Sequence, residues 1–169
     1  MITIHPADTK DVPVITEIYN DAILNTTATF DTEPKSIEDR LIWLKNHGIK
    51  YPVLVAESEN KIVGWASLTQ WSDRCAYEKT AEVSVYVHKQ HRGKGIGKML
   101  LEQLVLAGEK AGIHYMLARI TEGNKTSIHL HELFGFTHIG VMKEVGFKFG
   151  NFLDVTLMEK VFSQNIPKD

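Results

Sequence analysis

The chain has 169 residues, 43% of them hydrophobic and 24% charged, which is enough to bury a core in one domain spanning residues 1–169. Its formal net charge of −2 disfavours nonspecific binding to nucleic acid, because such binding usually depends on a strong basic excess. The single cysteine, Cys75, excludes an internal disulfide framework and leaves no Cys cluster for a structural zinc ion.

The beginning of the chain, MITIHPADTKD, lacks the basic and apolar segments of a secretion signal. No apolar run approaches the roughly 18 residues that a membrane-spanning helix needs. We therefore expect a soluble, cytoplasmic protein that binds neither membranes nor nucleic acid.

The first fifty residues predict a short strand at 2–4 followed by two helices. Each helix is preceded by a cap residue with an acidic residue three positions later, which is the pattern of a capping box. The pairs are Asp8 with Asp11 and Ser36 with Asp39. The threonine-rich segment 25–34 between the helices is predicted to be a loop that is long enough to carry function.

The middle of the chain predicts a β-hairpin and a third long strand. Two β-rich runs, 53–57 and 62–68, are joined by a short polar turn. An irregular polar stretch, 70–79, precedes the alternating run TAEVSVYVH at 80–88, which is typical of a half-buried strand.

The second half continues with a glycine-rich turn, a helix that ends near Gly112, a strand at 114–120, a short helix at 124–133 and two further strands. This order predicts the α/β class, with a mixed α+β sheet and helices on both of its sides.

The turn QHRGKGIGKML, residues 90–100, places three alternating glycines between a strand and a helix. A Walker A loop and a dinucleotide-binding fingerprint both require a glycine where this chain has Lys98, so neither motif fits. A plain surface turn is one alternative. The start of a helix favours an anion site instead, because free backbone N–H groups and the helix dipole bind phosphate oxygens there.

The segment RGKGIG, residues 92–97, resembles the R-x-x-G-x-G/A signature of the GCN5-related N-acetyltransferases, the GNAT family. A second match is Asn124 with SIHLHELFGF, residues 127–136, which is similar to the family's second cofactor-contacting helix. The resemblance implies the GNAT fold, with a mostly antiparallel central sheet flanked by helices, and acetyl-CoA as the co-substrate.

The resemblance also implies which residues hold acetyl-CoA. Residues 85–87 are expected to pair with the amides of the extended pantetheine arm as an added strand would, and to bring an N–H group near the thioester oxygen. The glycine turn is expected to bind the pyrophosphate. The implied set is Val85, Tyr86, Val87, Arg92, Gly93, Lys94, Gly95, Ile96, Gly97, Lys98 and Asn124.

Nearly the whole chain is similar to the phosphinothricin-type acetyltransferases of this family. The segments that carry this similarity are ATFDTEP, YPVLVAE, TAEVSVYV, RGKGIG, LHELFGF and VGFKFGNFLDV. The resemblance implies detoxification of a small acidic or highly polar amino acid such as phosphinothricin, methionine sulfoximine or methionine sulfone. Acetylation of a protein N-terminus or ribosomal protein is an alternative, and a non-catalytic acyl-CoA-binding module is another.

Glu82 is the predicted general base. Alternate residues of a strand point to opposite faces, so Glu82 shares one face with Ser84 and Tyr86 while alanine and valines occupy the other. A carboxylate flanked by apolar strand residues is expected to be desolvated, which suits it to accept a proton from an ammonium directly or through water. A solvent-facing glutamate is the structural alternative, and the resemblance implies the catalytic role.

Three histidines and the cysteine allow weaker hypotheses about catalysis and metal binding. Many relatives carry a tyrosine general acid where this chain has His131, which is predicted to protonate the thiolate, to hydrogen-bond the cofactor or to be structural. Cys75 has no neighbour that would activate a thiolate, so a covalent acetyl-enzyme is disfavoured. His88 and His91 lack further ligands nearby, so no metal is expected.

Three loops, 25–34, 70–79 and 145–152, are predicted to surround the acceptor amine. Arginine pairs well with a carboxylate or phosphinate, so Arg74, with Lys79 as a second candidate, is predicted to recognise an acidic group. An ordinary surface arginine is the alternative. The predicted substrate-binding set is Phe30, Arg74, Cys75, Ala76, Tyr77, Lys79 and Glu82.

The apolar run FLDVTLMEKVF, residues 152–162, predicts a C-terminal strand that presents an edge or a face to a second copy of the chain. We therefore expect a homodimer.

Overall fold

The computed structural model describes residues 1–163, and the last six residues of the predicted domain, 164–169, lie outside the described residues. Four helices and seven strands follow the order that the sequence predicts. They are β1 (Ile2–Pro6), α1 (Val12–Asn25), α2 (Ile37–His47), β2 (Val53–Ser58), β3 (Lys61–Gln70), β4 (Thr80–Val87), α3 (Ile96–Lys110), β5 (Tyr115–Thr121), α4 (Lys125–Leu133), β6 (Thr137–Lys148) and β7 (Asn151–Val161).

All seven strands form one sheet in the order β1-β2-β3-β4-β5-β7-β6. Neighbouring strands are antiparallel except β4 and β5, which run parallel. The β4–β5 ladder has only three residue pairs, the last of which joins Glu82 to Leu117. Beyond this pair the two strands continue without pairing to each other, so the sheet opens in its middle. The predicted mixed, mostly antiparallel sheet is confirmed.

Helices cover both faces of the sheet, as predicted. α3 buries Leu100, Leu101 and Leu104 against one face, because residues spaced by three and four share one side of a helix. On the other face, Ile15 and Ile18 of α1 pack against a cluster that includes Trp65. Among residues 1–163, no helix is long and apolar enough to cross a membrane.

α2 begins with the predicted capping box, in which the Asp39 N–H donates to Ser36 Oγ at 3.0 Å. Its orientation is the reverse of what amphipathicity predicts. Leu41 and Ile42 are exposed, whereas Arg40 and His47 are buried against the sheet. The inner face of α2 therefore brings polar groups toward the centre of the molecule.

The C-terminal strands differ from the prediction in one respect. β7 lies between β5 and β6, so β6 rather than β7 is the edge of the sheet. The hairpin nevertheless exposes a row of large apolar side chains: Ile139, Val141, Val145, Phe147, Phe149 and Phe152. Within the run 152–162, only Phe152 and Val161 are large apolar residues that are exposed, so the exposed apolar side chains belong mainly to β6 and the hairpin turn.

Candidate active site

The opening between β4 and β5 leads into a cavity of about 510 Å³. Residues 82–86 of β4 line one wall, and residues 118–121 of β5 line the opposite wall. Polar backbone groups that are buried require partners, and the edge of β4 has no strand beside it after Glu82. The cavity therefore offers an extended ligand a strand edge with which to pair.

The predicted loop between α1 and α2 closes one side of this cavity. Two of its carbonyls are held by side chains from distant strands: Thr121 Oγ1 donates to Thr27 O at 2.7 Å, and Lys148 Nζ donates to Thr29 O at 2.7 Å. Burial lowers the pKa of Lys148. Phe30 from this loop lines the cavity, so the predicted functional loop is part of the site.

The glycine turn lies just beyond the end of β4. Gly93 and Gly95 have φ values of +74° and +78°, a region that favours glycine. Within residues 1–163, no side chain caps α3 at Gly95, and the Met99 N–H makes the first helical hydrogen bond, to Gly95 O at 3.1 Å. The N–H groups of the first turn therefore face outward, which suits a phosphate.

Gly97 lies beside α4 and β4, two elements that also line the cavity. A Cβ there would lie 3.6 Å from Leu130 of α4 and 3.8 Å from Val87 of β4. Both are ordinary contacts, so the protein's own packing does not require glycine at this position. Arg92 Nε donates to Val87 O at 3.1 Å and fixes the turn to the strand.

Glu82 lies on the cavity wall, on the face shared with Ser84 and Tyr86, as predicted. Its surroundings differ from the apolar ones that the sequence suggests. Arg119 of β5 donates to both carboxylate oxygens, from Nε at 2.6 Å and from Nη2 at 2.9 Å. The pair is partly solvated, since 20% of the Glu82 side chain and 49% of the Arg119 side chain are exposed. Arg119 thus fixes the Glu82 carboxylate in one orientation.

His131 of α4 lines the cavity and is only 4% exposed. Burial lowers its pKa, while a hydrogen bond from Nδ1 to the Ser127 carbonyl at 2.8 Å acts in the opposite direction. Because Nδ1 donates, the neutral ring leaves Nε2 as an acceptor, and Nε2 has no hydrogen-bond partner within residues 1–163. Asn124 caps the same helix by accepting from the Ser127 N–H at 3.1 Å.

The third part of the cavity is a recess of aromatic rings around a buried arginine. The guanidinium carbon of Arg40 lies 3.5 Å from the centroid of the Trp43 ring. It also lies 4.8 Å from the Tyr19 ring and 5.1 Å from the Trp65 ring. Tyr86 stacks on Trp65 at 4.8 Å. We call this group the aromatic recess; it consists of Tyr19, Arg40, Trp43, Trp65 and Tyr86.

Comparison with known proteins identifies the family. The profile of the Acetyltransferase (GNAT) family matches residues 15–136. The chain belongs to this family. This GNAT protein is an acetyltransferase, and enzymes of its family take the acetyl group from acetyl-CoA. The resemblance seen in the glycine turn is confirmed.

The most informative relatives are full-length matches. A methionine sulfoximine/methionine sulfone acetyltransferase of Salmonella typhimurium is 40% identical over 169 residues, covering 99% of each chain. The structure of a phosphinothricin acetyltransferase from Sinorhizobium meliloti in complex with AcCoA has a TM-score of 0.93 at 36% identity, covering 96% of this chain and 89% of that one. A ribosomal-protein-alanine N-acetyltransferase from Brucella melitensis has a TM-score of 0.92 at 39% identity, covering 95% and 99%.

Not every predicted site residue of this GNAT protein lies in the cavity. Of the predicted substrate-binding residues, Phe30 and Glu82 line it, but the 70–79 segment does not contribute any lining residue in the described part of the chain. Its short 3₁₀ helix, Cys75–Tyr77, is exposed and holds these side chains at the surface. The five residues outside the cavity are Arg74, Cys75, Ala76, Tyr77 and Lys79.

Neither weaker hypothesis from the sequence gains a site. The rings of His88 and His91 pack edge to face at 5.6 Å, and Cys75 is exposed. Within residues 1–163, no group of three or more His, Cys, Asp or Glu side chains is arranged to hold a metal ion.

Two arginines that line the cavity, Arg119 and Arg40, were not predicted from the sequence. Arg119 occurs in a strand that was interpreted only as structural, and only the register of β5 against β4 brings it to Glu82. Arg40 shares a helical stripe with Trp43 and His47, at spacings of three and seven. That stripe was the available signal, because the residues of a surface helix that share a side with a large apolar ring usually face the core.

The low pKa of His131 makes protein stability depend on pH. The folded state disfavours the protonated ring, so the unfolded chain binds this proton first as the pH falls below about 6.5. Relative to His131→Gln, the parent should lose free energy of unfolding between pH 7 and pH 5, by at most about 1.4 kcal/mol per pH unit. Urea denaturation at several pH values measures this difference.

The control for this measurement is His129→Gln, which removes an exposed histidine from the same helix. It shows how much of any change comes from removing an imidazole from the surface of this helix. Parallel stability profiles for the parent and His131→Gln would contradict the assignment of a neutral, buried His131.

Proposed function

We propose that this acetyltransferase moves the acetyl group of acetyl-CoA to the amine of a small amino acid with an acidic or highly polar side chain. Methionine sulfoximine, methionine sulfone and phosphinothricin are the acceptors named for its relatives. The observation that carries the proposal is that Glu82 and the unpaired edge of β4 that follows it line the same cavity. A compact amine bound there is within reach of a carboxylate.

The residues present fit acetyl-CoA, which supplies the acetyl thioester when bound. The uncapped start of α3 and the glycines with positive φ suit its pyrophosphate, and Arg92, Lys94 and Lys98 add positive charge. The open edge of β4 at residues 85–87 suits the amides of its pantetheine arm. His131 and Asn124 also line the cavity.

Gly95→Val tests this cofactor site. A valine at a φ of +78° distorts the turn and adds bulk where the phosphates approach, so the affinity for acetyl-CoA should fall by roughly 100-fold or more. Titration calorimetry measures the affinity directly.

Gly112→Val is the matched control. Gly112 follows the other end of α3, has a φ of +83° and, like Gly95, has no described atom within 4 Å of an added Cβ. The two substitutions therefore impose similar backbone strain, but only one lies at the proposed site. Equal affinities in the two variants would exclude the turn as the phosphate site.

Glu82 is proposed to take the proton that the substrate ammonium loses before its nitrogen can attack. Arg119 occupies one side of the carboxylate, which leaves the remaining lone pairs of both oxygens for the amine or for a bridging water. Because Arg119 restrains the carboxylate, the proton acceptor is already oriented when the substrate binds. Arg119 acts as a positioning residue in this scheme.

His131 is proposed to accept a hydrogen bond rather than to supply a proton. A neutral ring whose Nδ1–H donates to Ser127 O has no proton on Nε2. Protonating the thiolate would require the charged ring first, and burial disfavours that form.

One acceptor panel tests the proposed function. The parent should acetylate methionine sulfone, methionine sulfoximine or phosphinothricin with a higher kcat/KM than spermidine or an alanine-terminated peptide. Glu82→Gln should lower kcat/KM by about 100-fold near pH 7 and less as the pH approaches the pKa of the amine, where the free base is already present.

Glu102→Gln, which neutralises an exposed carboxylate on α3, should behave as the parent. Full activity of Glu82→Gln at pH 7 would remove Glu82 from the mechanism. Preferred turnover of the alanine-terminated peptide would instead favour the function named for the Brucella melitensis protein. If acetyl-CoA binds but no amine reacts, the non-catalytic acyl-CoA-binding alternative is favoured.

We also propose that the chain forms a homodimer through the exposed apolar face of the β6–β7 hairpin. The hairpin exposes several large apolar side chains, of which Phe147 and Phe152 are in contact, and large exposed apolar patches commonly mark interfaces. Light scattering at micromolar concentration should give about twice the chain mass of 19.1 kDa, and Phe152→Glu should shift the mass toward that of the monomer. A parent that scatters as a 19.1 kDa particle would contradict this proposal.

A further inference from the structure

Gly146 of β6 leaves room for the ring of Phe30. A Cβ built on Gly146 would lie within 2.7 Å of three carbons of that ring, Cε1, Cζ and Cε2. Heavy atoms of a packed protein do not approach one another so closely, so only glycine fits while the ring keeps its place. The backbone makes no such demand, because Gly146 does not have a positive φ. Position 146 therefore requires glycine because of Phe30.

The Phe30 side chain lies between β6 and the cavity. The ring contacts β6 at Gly146, and Phe30 also lines the cavity together with Met142, Val145 and Val155. A side chain larger than glycine at position 146 has to push the ring toward the open volume or push the strand away from the ring.

The loop backbone is held on both sides of Phe30. Lys148 lies two residues after Gly146, on the same face of β6, and is only 4% exposed. Its Nζ donates to Thr29 O at 2.7 Å. Asp31 Oδ2 accepts from the Tyr19 hydroxyl at 2.8 Å. Because the residues before and after Phe30 are fixed, the ring moves mainly by rotation about its own side-chain bonds.

β6 is also held near this contact. Its register against β7 shifts between Met142 and Gly146, where the strand bulges. Asp154 of β7 anchors the bulge: Oδ1 accepts from the Glu144 N–H at 2.8 Å, and Oδ2 accepts from Lys143 Nζ at 2.6 Å. We therefore expect a larger residue at position 146 to move the ring into the cavity rather than to move the strand.

The wall that contains Phe30 is separate from the residues proposed to hold acetyl-CoA. Those residues belong to β4 at 85–87, the glycine turn at 92–98 and α4, whereas Phe30, Met142 and Val145 come from the loop between α1 and α2 and from β6. This wall is apolar, which suits the aliphatic part of an acceptor side chain. The position of the Phe30 ring therefore limits the space for that side chain.

We propose that the contact between Gly146 and Phe30 sets the length of the acceptor side chain that the enzyme accepts. Gly146 is the specificity-determining residue, and it acts through Phe30 by letting the ring lie against β6 instead of filling the cavity. This inference deepens the proposed function and rests on it for the class of acceptor.

Three amino acid sulfones of increasing length test the proposal: S-methylcysteine sulfone, methionine sulfone and ethionine sulfone. They share the α-amino group, the α-carboxylate and the sulfone, and each is one carbon longer than the one before. Relative to the parent, Gly146→Ala should lower kcat/KM by about 100-fold for ethionine sulfone and about tenfold for methionine sulfone, mainly through KM. The value for S-methylcysteine sulfone should change by less than about twofold. Equal losses for all three sulfones, or no losses, would overturn the inference.

A second substitution tests whether Gly146 acts through the ring. Leucine lacks the ring carbons that meet the added Cβ, so Gly146→Ala combined with Phe30→Leu should recover the length preference of the parent to within about threefold. A double variant no better than Gly146→Ala would contradict the proposal. Gly140→Ala is the matched control, because Gly140 lies in the same strand and has no described atom within 4 Å of an added Cβ. It should keep the preference of the parent.

Thermal unfolding followed by circular dichroism shows whether each variant is folded. If Gly146→Ala does not fold, Phe30→Leu alone decides the outcome. Its shorter side chain moves the wall outward, so kcat/KM for ethionine sulfone relative to methionine sulfone should rise by about tenfold. An unchanged ratio would then overturn the inference.

A crystal structure of Gly146→Ala separates this inference from the proposed function, because it does not depend on turnover. A Phe30 ring displaced into the cavity would support the inference, and a ring in its parent position beside a displaced β6 would overturn it. If the parent acetylates none of the sulfones, the proposed function fails. Calorimetric titration of the three sulfones in the presence of CoA then tests the length limit by itself, and absence of binding to the parent would overturn it.

Discussion

The early end of the β4–β5 ladder is the constraint on which the site depends. Three residue pairs hold the strands together, and after Glu82 each strand continues with a neighbour on its other side only. A parallel pair can separate in this way because β3 and β7 satisfy the outer edges of the two strands. The separation creates the cavity and exposes the edge of β4 to it. It also leaves Glu82 at the point where pairing stops, so that its carboxylate is held by β5 through Arg119 but still faces the cavity.

The charged groups around the cavity differ in whether they have an ion-pair or hydrogen-bond partner. Glu82 and Arg119 neutralise each other, and Lys148 uses its ammonium to hold the loop carbonyl of Thr29. Arg40 has aromatic faces but no anion within the described residues. Removing this charge from water is costly, and its contacts with the aromatic faces offset part of that cost.

The loop between α1 and α2 links these groups. Its carbonyls bind side chains from β5 and β6, and its Phe30 ring lies against Gly146, where any Cβ would be about 2.5 Å from the ring carbon Cε1. The loop is therefore fixed by contacts made over more than ninety residues of sequence separation in each case. Restraint of this kind gives the cavity one shape.

The sequence by itself determined the order of elements, the glycine turn and the face of β4 that carries Glu82, because each depends on local rules: helical spacing, strand alternation and the backbone freedom of glycine. Those rules also predicted that the loop at 25–34 carries function. The role that those rules predict for Arg74 stays a prediction; the structure holds Arg74 exposed on the 70–79 segment and buries Arg40. Local patterns indicate which side chains share a face of one helix or strand, but not which face meets which. Only tertiary structure sets the register that joins Arg119 to Glu82 and the packing that turns the polar stripe of α2 inward. There Trp43 of α2 packs against the buried Trp65 of β3, although Leu41 and Ile42 become exposed.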